Sequence, residues 1–193
     1  KLRLKGQAEE DTWFAGRNRS LLEALHQRLS GIKVVSGGQT GVDRAALDAA
    51  IEVGLAVAGW CPLGRRAEDG PIDPRYPLRE TPTRSLAQRT EWNVRDADGT
   101  LILYRRTLRG GSARTAAYAC RYARPMLLLD LSAGPDPAAG AAWVRRHGVR
   151  VLNCAGPRES GDPGIYAEAK VWLGDLLRAL RSAPGRPQGV PPR

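Results

Sequence analysis

The 193-residue chain holds two histidines, one methionine and one phenylalanine, and only four of its thirty basic residues are lysines. The two histidines, His26 and His147, sit far apart in the chain, which leaves no credible Ser-His-Asp triad and no His/Cys cluster of zinc spacing. The three cysteines, Cys61, Cys120 and Cys154, form no C-x-x-C pair and leave one thiol over. A disulfide scaffold is therefore not expected, and a reducing cytoplasm fits better. No apolar run approaches the roughly 18 residues that span a bilayer, and the opening residues carry no apolar signal core. Neither G-x-x-x-x-G-K-[ST] nor G-x-G-x-x-G occurs, so the standard nucleotide fingerprints are absent too.

What remains is ordinary for a globular protein: 42 % hydrophobic and 26 % charged residues, in a length that suits one main domain. The net charge is +10, of which residues 1–30 contribute +2 and residues 181–193 contribute +3. A basic surface calls for an anionic partner, but the bases are scattered, so a solvated surface outweighs a nucleic-acid interface.

From Ile32 the chain alternates short apolar runs with helical patterns. Strands are predicted at Ile32–Val35, Leu55–Ala58, Leu101–Tyr104, Met126–Leu131 and Val149–Cys154. Helices are predicted over 45–53, 84–96, 113–123, 137–147 and 163–181. Residues 59–82 read as a long functional loop with one short strand near Tyr76–Leu78. This alternation predicts an α/β, Rossmann-like, doubly wound and mainly parallel sheet with helices on both faces. Residues 1–30 read as an N-terminal extension with one helix at Ser20–Leu29, and 31–181 as the folded domain. The tail from Ser182 has six Pro or Gly in twelve residues and is expected to be disordered. No internal repeat is present.

The strongest local signal is Ser36-Gly37-Gly38-Gln39-Thr40-Gly41-Val42-Asp43-Arg44, directly after the first strand. Glycines let such a loop approach a ligand, and the free N–H groups of the following helix favour an anion. A tight structural turn is the equal alternative. A second loop, Arg109-Gly110-Gly111-Ser112-Ala113-Arg114-Thr115, and a third, Ala155-Gly156-Pro157-Arg158-Glu159-Ser160, also follow strands. In a parallel sheet all three emerge at the carboxyl edge, and their convergence favours a phosphorylated or otherwise anionic small molecule. With a strand order of the usual 3-2-1-4-5 type, the first two loops would flank the switch point. The long loop adds Trp60, Cys61, Pro62 and Arg65. Trp60 would stack on a ring or anchor the core, Arg65 would pair with an anion, and Cys61 reads as an inert thiol. Glu91 shares a stripe with Gln88, Trp92 and Arg95, where it is either an ionic partner of Arg95 or a catalytic acid.

These segments, together with Tyr76-Pro77-Leu78-Arg79-Glu80-Thr81, Gln88-Arg89-Thr90-Glu91-Trp92-Asn93-Val94-Arg95 and Asp98-Gly99-Thr100-Leu101, resemble the molybdenum-cofactor carrier family over roughly residues 32–180. That family belongs to the SLOG superfamily of Rossmann-like proteins, with the Lonely-guy and DprA groups. The resemblance implies a homo-oligomer that binds the phosphate-bearing molybdopterin cofactor, or another nucleotide-like phosphorylated ligand, without chemistry. It implies a pocket of Gly37, Gly38, Gln39, Thr40, Gly41, Asp43, Trp60, Cys61, Pro62, Arg65, Gly110, Gly111 and Ser112. The loop chemistry adds Arg44, Thr115, Gly156 and Arg158; no metal ligands are expected. The Lonely-guy signature P-G-G-x-G-T-x-x-E, laid on Gly110-Gly111, puts Ala117 where the catalytic glutamate belongs. An N-glycosidic hydrolase would then need Glu91, and ranks second; a basic nucleic-acid-binding module ranks third.

Overall fold

A computed structural model of the chain describes residues 31–181. The helix expected at Ser20–Leu29 and the tail from Ser182 lie outside the described residues. The chain enters β1 (Lys33–Val35), α1 (Val42–Glu52) and β2 (Ala56–Ala58). Four two-residue strands follow: β3 (Trp60–Cys61), β4 (Arg66–Ala67), β5 (Gly70–Pro71) and β6 (Arg79–Glu80). Next come α2 (Leu86–Arg95), β7 (Gly99–Tyr104), α3 (Gly110–Arg121) and β8 (Met126–Asp130). The chain closes with α4 (Pro137–Arg146), β9 (Val151–Ala155) and α5 (Ile165–Arg181).

The main sheet has five parallel strands in the order β2-β1-β9-β7-β8. Helix α5 packs on α1 and α4, while α2 packs on α3. The fold is a Rossmann-like α/β sandwich, with the last strand inserted at the centre of the sheet. Its register sets Val35 opposite Asn153 on one side and Thr100 opposite Asn153 on the other. The 3-2-1-4-5 order expected from sequence does not occur. Hydrophobicity misleads here: the apolar run Met126–Leu129 forms the partly exposed edge strand β8, whereas Leu152, Asn153 and Cys154 are buried in the middle. The Asn153 amide nitrogen donates to Thr100 Oγ1 at 3.3 Å, which helps a polar residue to sit at the sheet centre.

The segment 59–82 is ordered and not an open loop. β3 pairs with β6 and β4 with β5, while Tyr76–Leu78 forms no strand. Cys61, Ile72, Tyr76 and Leu78 instead make a second apolar cluster with Leu47 of α1. The main core lies on the other side of α1, where Ala45, Ala49, Leu173 and Leu177 are fully buried. No helix among the described residues is long and apolar enough to cross a membrane.

Candidate functional site

The loops after β1, β7 and β9 meet at the carboxyl edge of the sheet, as a parallel arrangement requires. They border a cleft of about 770 Å³, within the range of small-molecule sites. Its inner end narrows to a recess of about 50 Å³ beside Asn153, Cys154 and Gly156. One wall is α2, which turns Leu86, Arg89, Thr90 and Asn93 toward the opening at helical spacing. The opposite wall is the start of α3, with Gly110, Gly111, Ser112 and Thr115.

The recess is dominated by one ion pair. Arg89 Nη1 donates to Asp43 Oδ2 at 2.8 Å, with the side chains 13 % and 5 % exposed. The guanidinium lies over Gly37, where any Cβ would collide with it. Burial pushes the Asp43 carboxyl above its ordinary value, opposed by the charge and hydrogen bond of Arg89 and by donors from Gln39 and Ser36. Arg89 Nε is buried and has no partner among the described residues.

The first glycine loop is consumed by packing. Val42 N donates to Pro157 O at 3.1 Å, which ties α1 to the loop after β9. Gln39 Oε1 accepts from Thr40 N at 3.0 Å and Glu68 N at 2.9 Å. Gly38 adopts φ +73°, and a Cβ there would stand 2.6 Å from Leu78 Cδ1. Thr40 donates to Glu68 and accepts from Glu159 N at 3.2 Å. Arg44 pairs with Asp69 and donates to Gly38 O at 3.2 Å. Thr40, Gly41 and Arg44 thereby line a neighbouring, shallower depression.

The second loop is different. Ser85 and Asp136 cap α2 and α4 with their side chains, at Gln88 N and Ala138 N, whereas α3 has no side-chain cap. The N–H groups of Gly111 and Ser112 donate to no group among the described residues. Gly111 has an ordinary φ, and a Cβ on it would meet nothing within 4 Å. Nothing inside the fold requires glycine at this position. The cleft around it carries six arginines and two carboxylates, Asp43 and Asp162. Arg105 is neutralised by Asp162 and Glu168, and Arg158 lies 3.6 Å from Glu68.

Of the residues singled out from sequence, Gly37, Gln39, Asp43, Gly110, Gly111, Ser112, Thr115, Gly156 and Arg158 line the cleft or its recess. Gly38 packs beneath, and Trp60, Cys61, Pro62 and Arg65 lie outside. The Trp60 indole donates to Asp96 Oδ2 at 2.8 Å and meets Trp92 edge-on at 4.8 Å. Cys61 is fully buried, and burial raises its thiol pKa. Arg65 spends four of its five N–H groups on its own loop, donating to the carbonyls of Ile72, Leu78, Asp73 and Tyr76 at 2.9–3.1 Å. A bidentate grip on an external anion would require it to surrender part of that loop. Glu91 faces away from the cleft, accepting from Tyr122 Oη at 2.7 Å and Arg121 Nη1 at 3.3 Å. Its expected partner Arg95 pairs with Asp96 instead, at 2.6 Å.

Arg89, Asn93, Arg105, Arg106, Arg109 and Arg114 also line the cleft or its recess, though the sequence pattern assigns none of them an individual binding role. The signal for the first two is the 89/90/93 spacing, a polar stripe beside the buried Val94. Asn93 also holds β3 in place, accepting from Trp60 N at 2.8 Å and donating to Trp60 O at 2.9 Å.

The chain is thus a parallel α/β sandwich with a basic cleft at the carboxyl edge of its sheet. Residues 34–177 match the model of the circularly permutated YpsA SLOG family, and the chain belongs to that family. A solved crystal structure named "Putative molybdenum carrier protein", from Syntrophus aciditrophicus SB, is similar at 45 % identity with a TM-score of 0.70. The match covers 77 % of this chain and 93 % of that one. No curated protein matches.

Proposed function

We propose that the cleft binds a phosphorylated, ring-containing small molecule, and that the protein stores or carries such a ligand, the molybdenum cofactor being the one its similar structure suggests. The observation that carries this reading is the uncapped start of α3, where Gly111 leaves open space in front of unpaired amides amid arginines. Helix N-termini with free N–H groups favour phosphate, and glycine lets it approach the backbone. Arg109 and Arg114 would flank the phosphate, and the stripe of Leu86 and Thr90 would face the ring. Thr115 Oγ1 donates to Gly111 O at 3.0 Å and holds the turn. The first loop supports this site from below, and Asp43 holds Arg89 in the recess. The three free thiols suit a reducing, cytoplasmic setting, and self-association is proposed from the family resemblance.

Mass spectrometry of small molecules released from protein purified under native conditions tests the reading. A phosphorylated heterocycle in stoichiometric amount is the expected result. Protein that comes free of any ligand, and that is not stabilised by added nucleotides, phosphate or pyrophosphate, would overturn it.

A further inference from the structure

Asn153 sits in the central strand of the sheet, where the fold leaves part of its amide unpaired. Its neighbours Leu152 and Cys154 belong to the main core on one face. Alternation along β9 sends the Asn153 side chain to the other face, toward α2 and α3, where it lines the recess. The residue is only 2 % exposed. Its amide nitrogen donates to Thr100 Oγ1 at 3.3 Å, while Oδ1 accepts from no group among the described residues. A buried acceptor without a donor costs free energy, and an apolar residue of the same size would avoid that cost.

The recess limits what can complete this amide. One water needs about 10–15 Å³, so a volume of about 50 Å³ admits a group of a few heavy atoms. A bicyclic ring has to stay in the wider cleft. Arg89 and Asp43 neutralise each other, so neither an anion nor a cation finds an unpaired counter-charge in the recess. The bare acceptor of Asn153 opposes an anion further, and an apolar group would leave it unpaired. A neutral hydroxyl fits, because it both donates and accepts. Asn93 keeps one amide N–H beyond the one it gives to Trp60 O. The Thr90 and Thr115 hydroxyls donate to Leu86 O at 2.8 Å and Gly111 O at 3.0 Å, which leaves both with free lone pairs.

Resting on the binding reading above, we infer that the recess is a hydroxyl-reading subsite with Asn153 as its acceptor, and that the ligand class is a sugar phosphate of the ribonucleotide type. Gly111 borders both the recess and the cleft, so a hydroxyl in the recess lies beside the phosphate-binding turn. A sugar joins phosphate to ring in the same order in such a ligand. Asn153 is then a specificity-determining residue, since a ligand without the hydroxyl leaves its buried oxygen unpaired.

Calorimetric titration of the full chain with AMP, 2′-deoxyAMP, 3′-deoxyAMP and inorganic phosphate reads the subsite directly. At least one deoxy analogue is expected to bind about tenfold or more weakly than AMP, the loss of one buried hydrogen bond. The double variant Asn153→Leu with Thr100→Val removes both partners of the internal bond and replaces them with apolar groups of similar shape. Its melting temperature without ligand should equal or exceed the parent's, its phosphate binding should persist, and the AMP-to-deoxyAMP ratio should fall to about twofold or less. Equal affinities for AMP and both deoxy analogues in the parent, or a ratio that survives the double variant, overturn the subsite and leave the binding reading standing. A double variant less stable than the parent assigns Asn153 to the fold and overturns its ligand role, as does phosphate binding without AMP binding. Failure of AMP and inorganic phosphate alike to bind removes both readings.

Discussion

At the scale of single residues, chemical type was a poor guide to role, because role depends on what surrounds each side chain. Arg65 and Arg89 are both arginines beside glycine-rich segments. One spends its planar fork on four carbonyls of its own loop, and the other lies on Gly37 in the recess. Arg65→Ala should cost about 1–3 kcal/mol in urea unfolding, since three part-buried carbonyls lose their donor at once. Arg65→Lys should not rescue it, because an ammonium cannot reproduce the fork. Unfolding of Arg65→Ala at the parent's midpoint would show the bonds to be ornamental. Gly38→Asp tests folding and not the ligand. At φ +73° with Leu78 Cδ1 2.6 Å from the added Cβ, it should lower the melting temperature by several degrees. Glu91→Gln, by contrast, should leave ligand affinity unchanged, because the carboxylate is held by Tyr122 and Arg121 away from the cleft.

At the scale of elements, periodicity gave the helices and strands with boundaries shifted by a few residues, since their burial follows the pattern that the sequence displays. The predicted strand at Met126–Leu131 ends at Asp130, and the helix predicted from residue 113 begins at Gly110. Segment 59–82 was not legible. Its order comes from contacts remote in sequence: Asn93 on Trp60, Thr81 N on Cys61 O at 2.8 Å, and Arg65 on the 72–78 carbonyls. Its strands are two residues long, too short for any period to show. The glycine loops were legible as loops, but not in their division of labour. Whether a helix start is capped or open depends on what the fold places before it. Pro157 O fills the start of α1, while α3 is left without a cap.

At the scale of the whole molecule, the strand order was beyond reach because β9 and β8 differ in burial opposite to their hydrophobicity, and the crossing connections decide which is central. The loops so assembled are laced by carboxylates, which makes the edge of the sheet sensitive to acid. Burial alone would raise the Glu68 carboxyl, but hydrogen bonds from Ser160 and Thr40 and the charge of Arg158 hold it below its ordinary 4.5. The Arg44 hydrogen bond holds Asp69 below its ordinary 3.8 in the same way, with burial in opposition. A lowered value in the folded state stabilises the fold above the unfolded value and ceases to do so as pH falls through the folded one. The urea midpoint should therefore decline as pH drops below about 4.5, and Glu68→Gln should flatten that decline. Asp43 works in the opposite sense: its raised value means that ionising it costs stability, so acidification relieves that site. A midpoint independent of pH from 6 to 3 would contradict this account of the loops.

The central claim is that the α3 start is open because a phosphate group belongs there, and Gly111→Asp tests it with the least ambiguity. The position has an ordinary φ and free space, and a carboxylate in the first turn of a helix stabilises it by about 0.3–1 kcal/mol. The melting temperature without ligand should thus be equal to the parent's or higher. Calorimetric affinity for ADP, measured side by side on the two proteins, should fall at least about tenfold, because the new carboxylate occupies the anion's place. A stable Gly111→Asp variant that binds ADP as tightly as the parent would contradict the account.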